Sequence, residues 1–394
     1  MQGDQPAQFH QSWTNLGAVR GQIFGTRLVG ALQAVVLIIL GFLYVFTVPL
    51  FEGPDEPQHF MRGWGLAEGQ CIMEDHPRAL AQMYLHYMEK RYPGLAHSTM
   101  LSEIQQKVGQ PGERVENLAP NTSVYSFVPY IPYALAISSY SMFQSPASNL
   151  TQVIYLCRIV SVSIFVLCFG LAVYFAPQLA WPLFWVGSTP MVLGQAAIVS
   201  LDFLILGSTF LLLALPFKRI SLLWFALLGF GALFFLIQTK FPYIPVVIVT
   251  TAVVWTSQYQ VRQRLLTLFL SFGLSLASYY AWFIAARRFG VHDNLISYMH
   301  RHSDSRIIPQ MQVDWIVHHP LDYVRIMFES ILTQLGQVGH QFVGVLGWLS
   351  IPIDGWLIWP WLAFAGISVL LAGRISFSYS LRFMVGIACF GSCI

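Results

Sequence analysis

Residues 52–60 read Glu-Gly-Pro-Asp-Glu-Pro-Gln-His-Phe, and this acidic segment brings carboxylates and an imidazole together between two prolines. It closely follows a charge-free apolar run at 28–48, which is long enough to cross a hydrocarbon core of about 30 Å as a helix. A fixed, ionised carboxylate at a membrane surface can accept a proton from an attacking hydroxyl. The acidic segment therefore predicts a catalytic site at the membrane surface. The alternative is a solvated turn that follows a membrane helix.

Asp55 is well placed to begin a helix over residues 56–67. Helical spacing then sets His59 one turn from Asp55, and Arg62 three residues beyond His59. Hydrogen bonds from His59 or Arg62 would keep the Asp55 carboxylate ionised and oriented. Neighbouring cations could bind a phosphate and stabilise it as it leaves. This set of side chains fits transfer of a group from a lipid phosphate to a hydroxyl.

The composition is that of a polytopic membrane protein. The 394 residues are 56% hydrophobic and 15% aromatic, and only 10% are charged, against roughly 25% in soluble domains. The mean hydropathy is +0.59. A net charge of +3 without a basic cluster gives no indication of nucleic acid as a partner. The cysteines show no spacing typical of zinc ligands.

Apolar runs predict an all-α transmembrane bundle of about 9–10 membrane helices. After a cytoplasmic N-terminal segment at 1–27, residues 28–394 form one membrane domain. A large outer loop at 49–152 carries juxtamembrane helices and a helix-like stretch at 75–92, and a second outer loop region covers 287–350. The later runs lie at 153–176, 181–199, 203–217, 220–237, 242–257, 265–286, 356–373 and 381–394, and 326–350 is ambiguous.

Lysine and arginine in short loops indicate the orientation. Arg20 and Arg27 place the N-terminus in the cytoplasm, so the acidic segment faces outward. Counting crossings from Lys218 leaves none for 124–143, which we expect to lie along the outer surface or to re-enter partway. The same count places Asp202, Lys240 and the pair Arg287/Arg288 on the outer side. Outer arginines run against the positive-inside tendency and hint at a negatively charged ligand.

Three isolated charged residues, Asp202, Lys240 and Arg158, each allow two interpretations. Asp202 is either a functional acid in an apolar setting or a helix N-cap, and the two roles are compatible. Lys240 either binds a phosphate or extends to lipid headgroups. Arg158, near the outer start of its run, pairs either with an acid or with a lipid phosphate.

Four motifs resemble, in order, those of a bacterial family of predicted membrane proteins of unknown function. The acidic segment resembles its Pro-Pro-Asp-Glu-Pro-x-His-Phe motif, and residues 200–202 resemble its Ser-x-Asp. Residues 240–245 (Lys-Phe-Pro-Tyr-Ile-Pro) resemble its Lys-x-x-Tyr-x-Pro segment, and residues 343–348 (Val-Gly-Val-Leu-Gly-Trp) its Gly-x-x-Gly-Trp segment. The similarity covers roughly residues 30–375, and this family is assigned to the GT-C glycosyltransferase superfamily.

The resemblance implies a GT-C fold in the bacterial cytoplasmic membrane and a sugar donor linked to polyprenyl phosphate. It implies that Asp55 is the general base and Asp202 a supporting acid on the extracytoplasmic face. On this hypothesis Glu56, His59 and Asp202 would support catalysis, orient a glycan or lipid acceptor, or bind a divalent cation. The donor phosphate would be held by the cations of the outer face: Lys240, Arg158, Arg287 and Arg288.

One departure from the family keeps two further hypotheses open. The family usually continues into Gly-Arg-Tyr-Phe-x-Pro, which is missing here, and the chain stops at Ile394 inside an apolar run. A truncated C-terminus is one expectation, and a catalytically inactive partner in polysaccharide assembly is another. A transporter or flippase for a lipid-linked glycan is the remaining alternative. It would favour charges at mid-membrane and related halves, whereas these charges cluster at one face.

Overall fold

The computed structural model describes residues 27–51, 53, 55–72, 75–77, 80, 114–116, 120–146, 149–217, 220–239, 260–291, 309–346 and 351–371. In this part of the chain the fold is all-α, as predicted. The helices are α1 (Arg27–Thr47), α2 (Glu56–Ala67), α3 (Pro120–Ser123), α4 (Ile131–Ser141), α5 (Leu150–Phe175), α6 (Ala180–Gly187), α7 (Pro190–Ala196), α8 (Asp202–Ala214), α9 (Leu222–Thr239), α10 (Val261–Arg288), α11 (Pro309–His318), α12 (Pro320–Gly344) and α13 (Gly355–Leu371).

Short elements complete the described fold. Single 3₁₀ turns lie at Val128–Tyr130, Pro177–Leu179 and Leu215–Phe217. Strand β1 (Asp75–Pro77) pairs antiparallel with β2 (Arg114–Glu116), and β3 (Val345–Leu346) pairs with β4 (Ile351–Pro352). The helix expected to begin at residue 75 is therefore wrong over Asp75–Pro77, whose backbone pairs with Arg114–Glu116 instead.

Four of these helices are long and apolar enough to cross a membrane: α1, α5, α9 and α10. Helices α8 and α13 are apolar but shorter. The predicted crossing at 181–199 is divided into α6 and α7, because Thr189 caps a new helix that begins at Pro190. The predicted runs at 242–257 and 381–394 lie outside the described residues.

The helix in segment 124–143 is too short to cross a membrane by itself. This helix, α4, has 11 residues, which gives a length of about 16 Å, roughly half of the hydrocarbon core. This agrees with the prediction of a surface or re-entrant segment. In the ambiguous region 326–350, α12 extends to Gly344.

Helices α1 and α5 form the centre of the bundle and run antiparallel. Added Cβ atoms at Gly30 and Gly41 would collide with the side chains of Val173 and Val162, so the two backbones approach closely. Small residues permit such contact between membrane helices. Helix α8 packs on the opposite side of α5, where an added Cβ at Gly207 would lie 2.9 Å from Cβ of Cys168.

The contacts at one end of this bundle bring the predicted charged segments together. We call it the site end: α1 ends there, α2 lies across it, and α5 and α8 begin there. Helices α9 and α10 also finish at the site end, since Gln238 Nε2 donates to Ser278 Oγ at 3.0 Å, and Trp282 of α10 reaches α2. The structure thus confirms that the outer ends predicted for these described helices share one end of the molecule.

Candidate functional site

A buried ion pair between Glu56 and Arg158 anchors the site end. Arg158 Nε lies 2.7 Å from Glu56 Oε1, Nη2 lies 2.7 Å from Oε2, and both side chains are fully buried. The two parallel bonds form the bidentate geometry that arginine and carboxylate favour. The pair joins the first turn of α2 to α5.

Backbone groups complete the hydrogen bonding of this pair. Arg158 Nη1 donates to the carbonyls of Val45 and Val48, and Nη2 donates to that of Pro49. These bonds and the ion pair use all five N–H donors of a guanidinium. The carbonyls belong to the C-terminal end of α1, where the last turn leaves carbonyls without helical partners.

The Glu56 carboxylate is equally saturated. Its Oε1 accepts from the backbone N–H of Val199 at 3.0 Å, and its Oε2 accepts from that of Phe51 at 2.9 Å. Four hydrogen bonds thus enclose the two oxygens. These contacts indicate structural roles for Glu56 and Arg158, in place of the catalytic role predicted for Glu56 and the phosphate-binding role predicted for Arg158. The alternative that Arg158 pairs with an acid agrees with the structure.

Asp55 differs sharply from its neighbour Glu56. The helix predicted over residues 56–67 is confirmed, and Asp55 is its exposed N-cap residue, in the left-handed region with φ 58° and ψ 9°. Aspartate tolerates this region better than most residues. Its side chain makes no capping hydrogen bond to α2. The structure therefore presents the Asp55 carboxylate at the surface, at the start of a helix that is anchored by the adjacent residue.

His59 lies one turn into α2 and is almost fully buried. Its Nδ1 lies 2.7 Å from the hydroxyl of Tyr130, and its ring stacks on those of Tyr125 and Tyr130. Burial raises the pKa of Tyr130 well above its usual value, Arg62 opposes that shift, and the Asp55 carboxylate adds a smaller increase. Tyr130 is therefore a neutral phenol at neutral pH, within electrostatic range of both Asp55 and Arg62.

The loop that precedes Asp202 is held at the site end by hydrogen bonds. Val199 bonds to Glu56, and the Tyr133 hydroxyl bonds to both the N–H and the carbonyl of Ser200. Asp202 begins α8, as predicted, but it is the first helical residue and Leu201 is the N-cap, so the predicted N-cap role is wrong. Asp202 is half-buried, and its N–H donates to Ser200 Oγ at 3.2 Å. A carboxylate in this position is stabilised by the helix dipole.

Arg62 is the second buried arginine of the site end, and its surroundings differ from those of Arg158. Its Nη2 donates to the Cys71 carbonyl at 2.6 Å, and its guanidinium lies 5.8 Å from each of the rings of Tyr130 and Trp282. Burial lowers the pKa of Arg62 to about 10. Arg62 therefore stays cationic at neutral pH.

A cavity of about 430 Å³ opens beside Arg62. Its walls include Cys71 and Trp282, which also contact Arg62, and the apolar side chains of Ile72, Ala285 and Phe289. Arg287 and Arg288 lie in the last turn of α10, between these wall residues in sequence, and both are exposed. Neither of these predicted phosphate ligands on α10 is among the described wall residues of the cavity, and Lys240 lies outside the described residues.

Within the described ranges, no group of three or more His, Cys, Asp or Glu side chains is arranged to hold a metal ion. The divalent cation therefore stays a prediction. The aromatic residues around His59 and Arg62 were not among the predicted site residues. Two of them, Tyr125 and Tyr130, belong to segment 124–143, which was predicted to lie along the outer surface or to re-enter partway rather than to form a wall of the site. Trp282 gave no signal, because it lies inside an ordinary apolar run.

Comparison with known proteins yields one assignment. A family model described as a predicted membrane protein, DUF2142, matches residues 37–393. No curated protein and no solved structure matches the chain. The match spans α1 to the C-terminal region and includes all four motifs on which the resemblance rests. The chain therefore belongs to the DUF2142 family of predicted membrane proteins.

Proposed function

We propose that this chain is a multi-pass inverting glycosyltransferase of the GT-C type in the bacterial cytoplasmic membrane, with its site end on the extracytoplasmic face. It would transfer a sugar from a polyprenyl-phosphate donor to an envelope glycan or lipid. The observation that carries the proposal is the contrast between Asp55 and Glu56. One carboxylate is saturated and buried, and the other is exposed at the start of the helix that the first one anchors.

In the proposed reaction the Asp55 carboxylate takes the proton of the acceptor hydroxyl. The acceptor oxygen attacks the anomeric carbon of the sugar and forms the new glycosidic bond with inversion. The bond between that carbon and the phosphate oxygen breaks, and polyprenyl phosphate leaves with the electron pair. General base catalysis of this kind contributes about 10²–10⁴-fold to the rate.

Cations at the same end support the departure of a phosphate. Arg287 and Arg288 are exposed in the last turn of α10, which finishes at the site end, and positive groups near a leaving phosphate stabilise its charge. Asp202 begins α8 at the site end and would orient the acceptor. Lys240 follows directly after α9 in the sequence, and its phosphate-binding role stays part of the proposal.

The proposal is tested with the purified full chain in proteoliposomes. These are supplied with polyprenyl-phosphate glucose or mannose carrying a radiolabelled sugar, together with extracted envelope lipids and glycans. Label that appears in the extracted acceptors supports a transferase. Donor that changes leaflet without loss of its sugar would contradict the proposal and favour a transporter. Intact donor that stays in its leaflet, with every acceptor tried, would favour an inactive assembly partner.

A further inference from the structure

The two buried arginines of the site end, Arg158 and Arg62, differ in their hydrogen bonding. The proposed transfer reaction does not explain this difference. Arg158 has a carboxylate partner and uses all five donors. Arg62 is equally buried, but its Nε and Nη1 have no hydrogen-bond partner among the described residues. Both arginines project from helices that meet at this end, so the difference is specific to their immediate surroundings.

An unpartnered buried cation is costly. A buried charge needs a counter-charge and hydrogen bonds to offset its lost hydration. Among the described residues, Arg62 contacts the rings of Tyr130 and Trp282, each at 5.8 Å, and donates one hydrogen bond to the Cys71 carbonyl. Cation–π contacts are weaker than an ion pair with a carboxylate, and they offset only part of the cost of burying an ion. Arg62 is therefore incompletely compensated within the described structure.

Arg62, whose Nε and Nη1 are unpartnered among the described residues, adjoins the cavity. Cys71 and Trp282 are shared between the contacts of Arg62 and the cavity walls. The cavity volume of about 430 Å³ falls within the range of about 300–1,000 Å³ that is typical of small-molecule sites. A phosphate that enters between Cys71 and Trp282 would reach the guanidinium directly.

We propose that Arg62 is the anion-binding residue of a phosphate-ester site formed by this cavity. The planar guanidinium offers two open N–H groups, which suits a phosphate group. The apolar walls at Ile72, Ala285 and Phe289 suit the carbon skeleton of an ester. Either a free phosphate or the headgroup of a phosphate-bearing lipid presents this chemistry.

The site requires no sugar transfer. A protein that only holds or moves a phosphate-bearing lipid would carry the same site. An experiment can therefore rule out the phosphate site without ruling out the proposed transferase, and the reverse. Tyr130 is near both features, because its ring contacts Arg62 and the Asp55 carboxylate contributes to its electrostatic environment.

The experiment measures direct binding to the full chain in phosphate-free detergent buffer. The probes are inorganic phosphate, undecaprenyl phosphate and neutral undecaprenol. We expect saturable binding of a phosphate probe, and Arg62→Gln is expected to raise its Kd at least about tenfold, which corresponds to about 1.4 kcal/mol. Competition between the two phosphate probes separates the sources. Displacement of the lipid by inorganic phosphate shows that the phosphate group dominates binding, and its failure shows that the site requires the lipid.

Two further variants keep the result interpretable. Arg325→Gln is the matched control, since Arg325 is an exposed arginine with surface partners on α12, and its Kd should match that of the wild type. Ala285→Trp fills the cavity while keeping Arg62, and it should also raise the Kd, even if Arg62→Gln fails to fold. Equal affinity for undecaprenol and undecaprenyl phosphate, no binding of any probe, or unchanged affinity in Ala285→Trp would each overturn the proposal.

Discussion

At the scale of single residues, the neighbouring carboxylates of Asp55 and Glu56 lie in opposite environments. Glu56 accepts four hydrogen bonds and neutralises Arg158 in the interior, whereas Asp55 remains exposed. The arrangement requires a left-handed backbone at Phe51, with φ 65°, which costs about 1–3 kcal/mol. The Phe51 N–H donates to the Glu56 carboxylate, and a hydrogen bond to a charged group returns about 1.5–3 kcal/mol.

Removal of the Glu56 charge should therefore destabilise the protein. We expect Glu56→Gln to lower the free energy of unfolding by about 3–5 kcal/mol, because it leaves Arg158 buried without a counter-charge. The measurement is a denaturant titration in detergent micelles. Asp322→Asn is the control, since its ion pair with Arg325 is exposed and should contribute at most about 1 kcal/mol. A Glu56→Gln protein of wild-type stability that has lost activity would instead point to a catalytic Glu56.

At the scale of elements, the antiparallel packing of α1 on α5 holds the acidic segment in place. The contacts proceed from Gly30 with Val173, through Gly41 with Val162, to the Val45 carbonyl with Arg158. The register of two membrane helices is thus continuous with the ion pair that anchors α2. A change in helix packing within the membrane would be transmitted to the site end.

Substitution at Gly41 tests this dependence. An added Cβ at Gly41 would lie 2.6 Å from Val162 Cγ1, so Gly41→Leu should cost about 1–3 kcal/mol through overpacking. Gly273 lies inside α10 with no atom within 4 Å of an added Cβ, so Gly273→Leu should be nearly neutral or slightly stabilising. Thermal unfolding monitored by size-exclusion chromatography compares the two. Equal stabilities would show that α1 and α5 do not pack as closely as described.

The sequence correctly predicted the helices that are determined by residues within their own segment. Apolar runs identified α1 and α5, and Asp55 identified the start of α2, because apolar length and helix-start signals act within the segment itself. The run predicted at 181–199 leads from the end of α5 to the site end as two helices rather than one, since hydropathy does not register the cap and proline at Thr189 and Pro190. Such a break depends on two residues, whereas a hydropathy window averages over many.

The site was predicted less completely because its contacts join distant segments. Glu56 and Arg158 are 102 positions apart, and Trp282 bonds to a carbonyl 158 positions away. Their residue types alone did not distinguish a structural ion pair from a catalytic acid with a phosphate ligand. Arg62 was recognised as a neighbour of Asp55, but its open donors and its cavity depend on α10, which no local pattern connects to α2.

At the scale of the whole molecule, the proposal requires the site end to face the outside of the cell. Cys71 is an exposed free thiol at the site end, whereas Cys157 is buried within α5. A membrane-impermeant maleimide should therefore label intact cells at Cys71, and Cys71→Ser should abolish that labelling. Labelling that appears only after the cells are opened would place the site end in the cytoplasm.

The most direct test of the central claim is the rate of sugar transfer by Asp55→Asn in proteoliposomes with a radiolabelled polyprenyl-phosphate sugar. The variant keeps the size of the side chain but removes the base, so the account predicts a fall of about 10²–10⁴-fold in rate with donor affinity unchanged. Asp314→Asn, a change at an exposed carboxylate on α11, should transfer at the wild-type rate. A full rate of transfer by Asp55→Asn would contradict the account.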